Sequence, residues 1–128
     1  MTKSTDNDAV LSDNEIEPML RASLPDWQLI DGEIRRRYST AGWKGTLMLV
    51  NTIGHLAEVA WHHPDIHASY AQVVVTLSTH SAGGVTQKDL DLAEKIEEVV
   101  CWRPGEDPDS ALEGIPDDPR FAYIRHQE

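Results

Sequence analysis

At 128 residues the chain has the length of one domain, and its 40% hydrophobic content supports a core and excludes a disordered polymer. Aromatics make up only 6%, so the expected core is aliphatic. With 22 acidic against 11 basic residues the formal charge is −11, which argues against sequence-independent binding to nucleic acid or anionic membrane.

Residues 1–10 are polar and acidic, read as a disordered N-terminus, and lack a signal-peptide apolar core. Ser12 and Glu15 stand at capping-box spacing and open a helix that Leu24-Pro25 ends, with Pro18 in its first two turns. Trp27–Ile30 and Glu33–Tyr38 flank Asp31-Gly32, a type I′ hairpin signal. Arg35, Arg36 and Arg37 alternate across that second strand and read as a solvated edge rather than a phosphate site. Gly42–Trp61 is the longest helical period. Trp43, Leu47, Val50, Gly54 and Ala57 are flanked by Leu49, Ile53, Leu56 and Ala60, a stripe wide enough to cover a sheet, and Pro64 stops it.

Ser69–Ser78 alternates as one strand, with Ala71, Val73, Val75 and Leu77 on one face. After a Gly83-Gly84 turn, Thr86 caps a last helix with Asp89 as its capping-box partner. Leu90, Ala93, Ile96 and Val100 line one face of that helix. Residues 104–128 differ in kind. They hold four of the seven prolines and seven acidic residues against two arginines, with Phe121-Ala122-Tyr123-Ile124 as the apolar cluster expected to dock. The expected organisation is a domain over 11–103 and an acidic, Pro-rich extension over 104–128. The fold class is α+β, an antiparallel sheet with helices packed on one face in the order α-β-β-α-β-α. Three strands make a short sheet, so its edges are expected to pair in a homo-oligomer, a dimer or a tetramer. The lone Cys101 excludes a disulfide framework and reads as a packing thiol. No apolar run reaches the roughly 20 residues of a membrane span. The expected location is cytoplasmic, with neither nucleic acid nor membrane as partner.

Chemistry concentrates in histidines. Glu58 and His62 are four apart on the long helix, where a carboxylate can accept an imidazole N–H and fix its tautomer. His62-His63-Pro64 sits where that helix breaks, and His80 follows the long strand. If the two ends lie together, three imidazoles converge on one cavity, which suits general acid–base catalysis near neutral pH. A metal site is the rival reading, but there are no paired cysteines and no H-x-x-x-H within the long helix, where the pair at that spacing is Glu58 and His62, so neither metal nor cofactor is expected. Histidines at a helix C-terminus also favour the macrodipole without any function, and His55 and His67 are read as structural. Ser69, Ser78 and Ser81 lack a nucleophile-elbow context.

Glu58, His62, His63, Pro64, Tyr70, His80 and Asp89 stand at the spacings of the pterin-4a-carbinolamine dehydratases, which the chain resembles over about residues 11–101. Leu24-Pro25-Asp26-Trp27, Leu56-Ala57-Glu58 and Thr79-His80 followed by Gly83-Gly84-Val85-Thr86 match as flanks. The resemblance implies a small α+β fold that forms dimers or dimers of dimers. It implies a metal-free dehydration of 4a-hydroxytetrahydrobiopterin to the quinonoid dihydropterin, in pterin recycling. By position, His62 and His80 would be acid and base and Glu58 would orient a histidine. His63, Ser78 and Thr79 would bind the pterin substrate. Asp89 fills the last position, which helix capping explains equally well. Two features depart from typical members: Tyr38–Trp43, Leu47 and Leu49 where several phenylalanines are usual, and the extension from Pro104. Relatives that keep this fold without the activity resemble Rubisco assembly factors of carboxysome-bearing bacteria or a transcriptional dimerisation cofactor. The alternative expectation is therefore an inactive member acting on a protein partner.

Overall fold

The computed structural model describes residues 5–126. In chain order the elements are α1 (Asp13–Ser23), β1 (Trp27–Ile30), β2 (Glu33–Thr40), α2 (Trp43–Ala60), β3 (Asp65–Ser69), β4 (Gln72–Leu77), α3 (Gln87–Val100) and β5 (Ile124–Arg125). The sheet is antiparallel throughout, ordered β1-β2-β4-β3, and β5 pairs with β2 beyond the end of β1. The fold is the expected α+β class, with one more strand than expected in the domain and another in the extension.

Sequence chemistry explains the element ends. Both capping boxes form: Ser12 with Glu15 at α1 and Thr86 with Asp89 at α3. Asp31 and Gly32 both take positive φ, 52° and 77°, as a type I′ turn requires. At the end of α2, Trp61 adopts φ 52° and the His62 N–H closes back on the Ala57 carbonyl at 3.1 Å. The chain therefore leaves the helix one residue before His62.

The run read as a single strand over Ser69–Ser78 is a hairpin. β4 keeps the predicted alternation, with Val73, Val75 and Leu77 fully buried. Asp65–Ser69 forms β3, paired from Asp65↔Thr76 to Ser69↔Gln72 around the Tyr70-Ala71 turn. β3 lies at the sheet edge and no residue in it is fully buried, so it carries no hydrophobic alternation to read.

Ile34 and Tyr38 of β2 and Val73, Val75 and Leu77 of β4 face Ile16 and Leu20 of α1, Leu49 and Ile53 of α2, and Leu90, Ala93 and Ile96 of α3. Each large aliphatic residue in this layer contributes roughly 1.5–3 kcal/mol by leaving water. Of the wide α2 stripe, Leu49, Ile53 and Ala57 are buried, whereas Trp43 and Leu47 stay about half exposed. Thr5–Asp8 form a short 3-10 turn, and the remainder of the predicted disordered N-terminus, residues 1–4, lies outside the described residues. In the extension, Tyr123 and Ile124 pack against the core and Phe121 stays half exposed.

Candidate functional site

The site is built around the first turn of α3. Asp89 stands three residues after the cap, so its carboxylate turns back over the helix N-terminus, where it is fully buried. Its Oδ2 accepts the Thr86 backbone N–H at 2.9 Å and the Thr79 hydroxyl at 2.7 Å. Its Oδ1 meets His62 Nε2 at 2.6 Å. The Thr86 and Thr79 hydroxyls are 2.8 Å apart, and because Thr79 gives its one proton to the Asp89 carboxylate, Thr86 donates to Thr79 while its Oγ1 also accepts the Lys88 N–H. A buried carboxylate without such partners would be costly, and here every oxygen is engaged. A carboxylate only accepts, so His62 must carry a proton on Nε2. That leaves the neutral ring with its lone pair on Nδ1.

The structure reassigns the carboxylate–histidine pairing. Glu58 does not hold His62; it meets His63 Nε2 at 2.6 Å on the exposed surface. The i,i+4 geometry needs both residues in the helix, and the left-handed turn at Trp61 takes His62 out of register. The capping residue Asp89 supplies the partner instead, so capping and site geometry use one side chain. Trp61 stacks edge-on against His63 at 5.1 Å.

Of the predicted site residues, His62 and Thr79 meet at Asp89, and His80 follows Thr79 directly, exposed at the start of the loop. His63 and Glu58 flank His62 as an exposed pair. Ser78 points the other way: by strand alternation its side chain is on the opposite face from Thr79, and its hydroxyl donates to Glu33 at 3.2 Å. Tyr70 sits in the β3–β4 turn at the far end of the hairpin from His63 and His80. Among the described residues no three His, Cys, Asp or Glu side chains converge as a metal site. No helix among them is long and apolar enough to cross a membrane.

A second polar cluster went unread in the sequence. Glu97 Oε1 accepts from Trp27 Nε1 at 3.0 Å, from the Tyr38 hydroxyl at 2.7 Å and from Arg36 Nε, while Cys101 Sγ donates to Oε2 at 3.3 Å. Burial opposes ionisation of Glu97, but the hydrogen bonds from Arg36 and Tyr38 prevail and hold its pKa below the usual range. Burial and the Glu97 charge push the Tyr38 hydroxyl upward and the Cys101 thiol to about 11. Cys101 is thus a protonated packing thiol. The cluster ties β1 and β2 to α3, and a glutamate inside the α3 sequence was the one available signal.

A family model described as pterin 4 alpha carbinolamine dehydratase matches residues 9–99. A protein of Aquifex aeolicus named "Putative pterin-4-alpha-carbinolamine dehydratase" is 43% identical over 90 residues, covering 70% of this chain and 90% of its own. One of the same name from Nocardia farcinica is 43% identical over 91 residues, covering 71% and 95%. The crystal structure of a "transcriptional coactivator/pterin dehydratase" from Brucella melitensis superposes with a TM-score of 0.65 at 32% identity, covering 70% of this chain and 97% of that one. The matched span contains the whole His62–Asp89 site, and the chain belongs to the pterin 4 alpha carbinolamine dehydratase family.

Proposed function

We propose that this chain dehydrates a 4a-hydroxytetrahydropterin, with 4a-hydroxytetrahydrobiopterin as substrate, by acid–base chemistry at His62 and His80. The observation that carries this reading is the buried chain Thr86–Thr79–Asp89–His62, which holds one imidazole in one tautomer. In the proposed step His62 Nδ1 takes the proton from N5 of the carbinolamine. The N5 electron pair forms the N5=C4a double bond and the C4a–O bond breaks. His80 protonates the departing hydroxide, so the products are water and the quinonoid dihydropterin. Asp89 stabilises the imidazolium that forms on His62. His63, oriented by Glu58, holds the pterin at the rim, and Thr79 acts through Asp89 rather than on the substrate. Ser78 contributes no side chain in this arrangement. No step requires a metal or a cofactor.

The assay is stopped-flow dehydration of a 4a-hydroxypterin generated in place, with the full chain, with and without a chelator. The reading expects acceleration over the spontaneous rate that the chelator leaves unchanged. No acceleration would leave the chain a fold relative acting through a protein partner, and loss restored by zinc would move the chemistry to a metal. The reading further takes the protein to be a cytoplasmic homo-oligomer.

A further inference from the structure

We infer that the uncovered face of the sheet carries a binding site for a small polyanion, such as an organic diphosphate or a polycarboxylate, between Arg35, Arg37 and Arg125. Ile34 and Tyr38 turn inward under the helices, so alternation sends Arg35 and Arg37 outward together. β5 then brings a third arginine: Arg125 pairs with Ser39 and so shares the face of Ser39, Arg37 and Arg35. Along this side of β2, β1 ends opposite Arg36 and β5 begins opposite Ser39. A cleft of about 520 Å³ opens there, lined by these arginines together with Gln28, Ile30, Arg36, Val74 and His126. That volume falls within the roughly 300–1,000 Å³ of small-ligand sites.

The charge in this cleft opposes that of the chain. Acidic residues outnumber basic ones two to one, yet among the described residues four arginines line the cleft against one carboxylate, Asp26. Arg36 is already engaged by Glu97, with Asp26 at 3.8 Å. Arg35, Arg37 and Arg125 have no carboxylate within ion-pair distance among the described residues. Burial lowers the pKa of His126, while the charges around it oppose one another, Arg103 and Arg36 lowering it and Glu106 and Glu97 raising it. Guanidinium forks around a concave surface bind oxyanions in paired hydrogen bonds, and a ligand with two or more negative charges offsets the mutual repulsion of the three. Arg35, Arg37 and Arg125 reach the cleft from the outer face and Arg36 from the helix side, where Glu97 holds it, and none of its lining residues belongs to the His62–Asp89 site, so it does not depend on that chemistry.

Calorimetric titration of the full chain with inorganic pyrophosphate and, separately, with citrate tests the site, against chloride at matched ionic strength. We expect saturable binding of at least one, with pyrophosphate alone indicating a phosphate ligand and citrate alone a polycarboxylate. The Arg37→Gln/Arg125→Gln variant should weaken it by about tenfold or more, while Arg21→Gln on α1 leaves it unchanged. If the double variant fails to fold, Arg35→Gln carries the same expectation. Binding of neither anion above chloride, or equal binding by a folded cleft variant, overturns the proposal.

Discussion

Asp89 closes the cap of α3 and fixes the tautomer of His62, so its two kinds of variant should separate. Asp89→Ala removes the cap and leaves the Thr86 N–H and Thr79 hydroxyl without their acceptor. The loss of stability should be about 2–4 kcal/mol, read from urea unfolding. Asp89→Asn keeps the volume, but its amide also donates, so His62 can reverse its tautomer. The rate should fall about tenfold or more with a smaller stability loss, as part of the general acid–base contribution. A stable Asp89→Asn protein of unchanged rate would assign the carboxylate to capping alone. At this scale the sequence showed Asp89 through its capping-box spacing with Thr86, which the structure forms, and offered His62 and His80 as candidates by their place at a helix end and a strand end. It misdirected Glu58, because the spacing of Glu58 and His62 holds only while the helix continues, and Trp61 carries no stop signal such as glycine.

Between elements, Glu97 joins β1, β2 and α3 through Trp27, Arg36 and Tyr38. Its folded pKa lies below the unfolded value near 4.5. Such a group stabilises the fold above its unfolded pKa, and that stability is lost as pH falls through the depressed folded value. Glu97→Gln should therefore lower the melting temperature at pH 7, and its gap from the wild type should narrow under acid. A gap independent of pH would show that the carboxylate charge contributes nothing. This cluster and β3 were hidden for related reasons. Period-2 and period-3.6 patterns report burial of apolar residues. They are silent on a half-buried glutamate between elements and on an edge strand with little to bury.

For the molecule as a whole, two surfaces look for cover. The outer edge of β3 is unpaired among the described residues, and α2 leaves Trp43, Leu47 and Met48 about half exposed. We expect a homo-oligomer in solution, and light scattering that reports a monomer at micromolar concentration would contradict it. The apolar cluster of the extension was legible as a docking segment. Its strand was not, because Ile124–Arg125 is too short to show any period. Its place follows from backbone fit. The Ala41 N–H donates to the Tyr123 carbonyl at 3.1 Å, beside Gly45, where a Cβ would come within 2.9 Å of that oxygen.

The central claim is that His62, held by Asp89, and His80 perform the dehydration. Stopped-flow rates for His62→Ala and His80→Ala, beside the wild type and a His55→Ala control, test it most directly. The account predicts that each of the first two loses about 10²–10⁴ of the acceleration, His80→Ala at unchanged melting temperature and His62→Ala with a lower one because Asp89 Oδ1 loses its partner, while His55→Ala keeps the rate. Wild-type rates in a folded His62→Ala protein would contradict it.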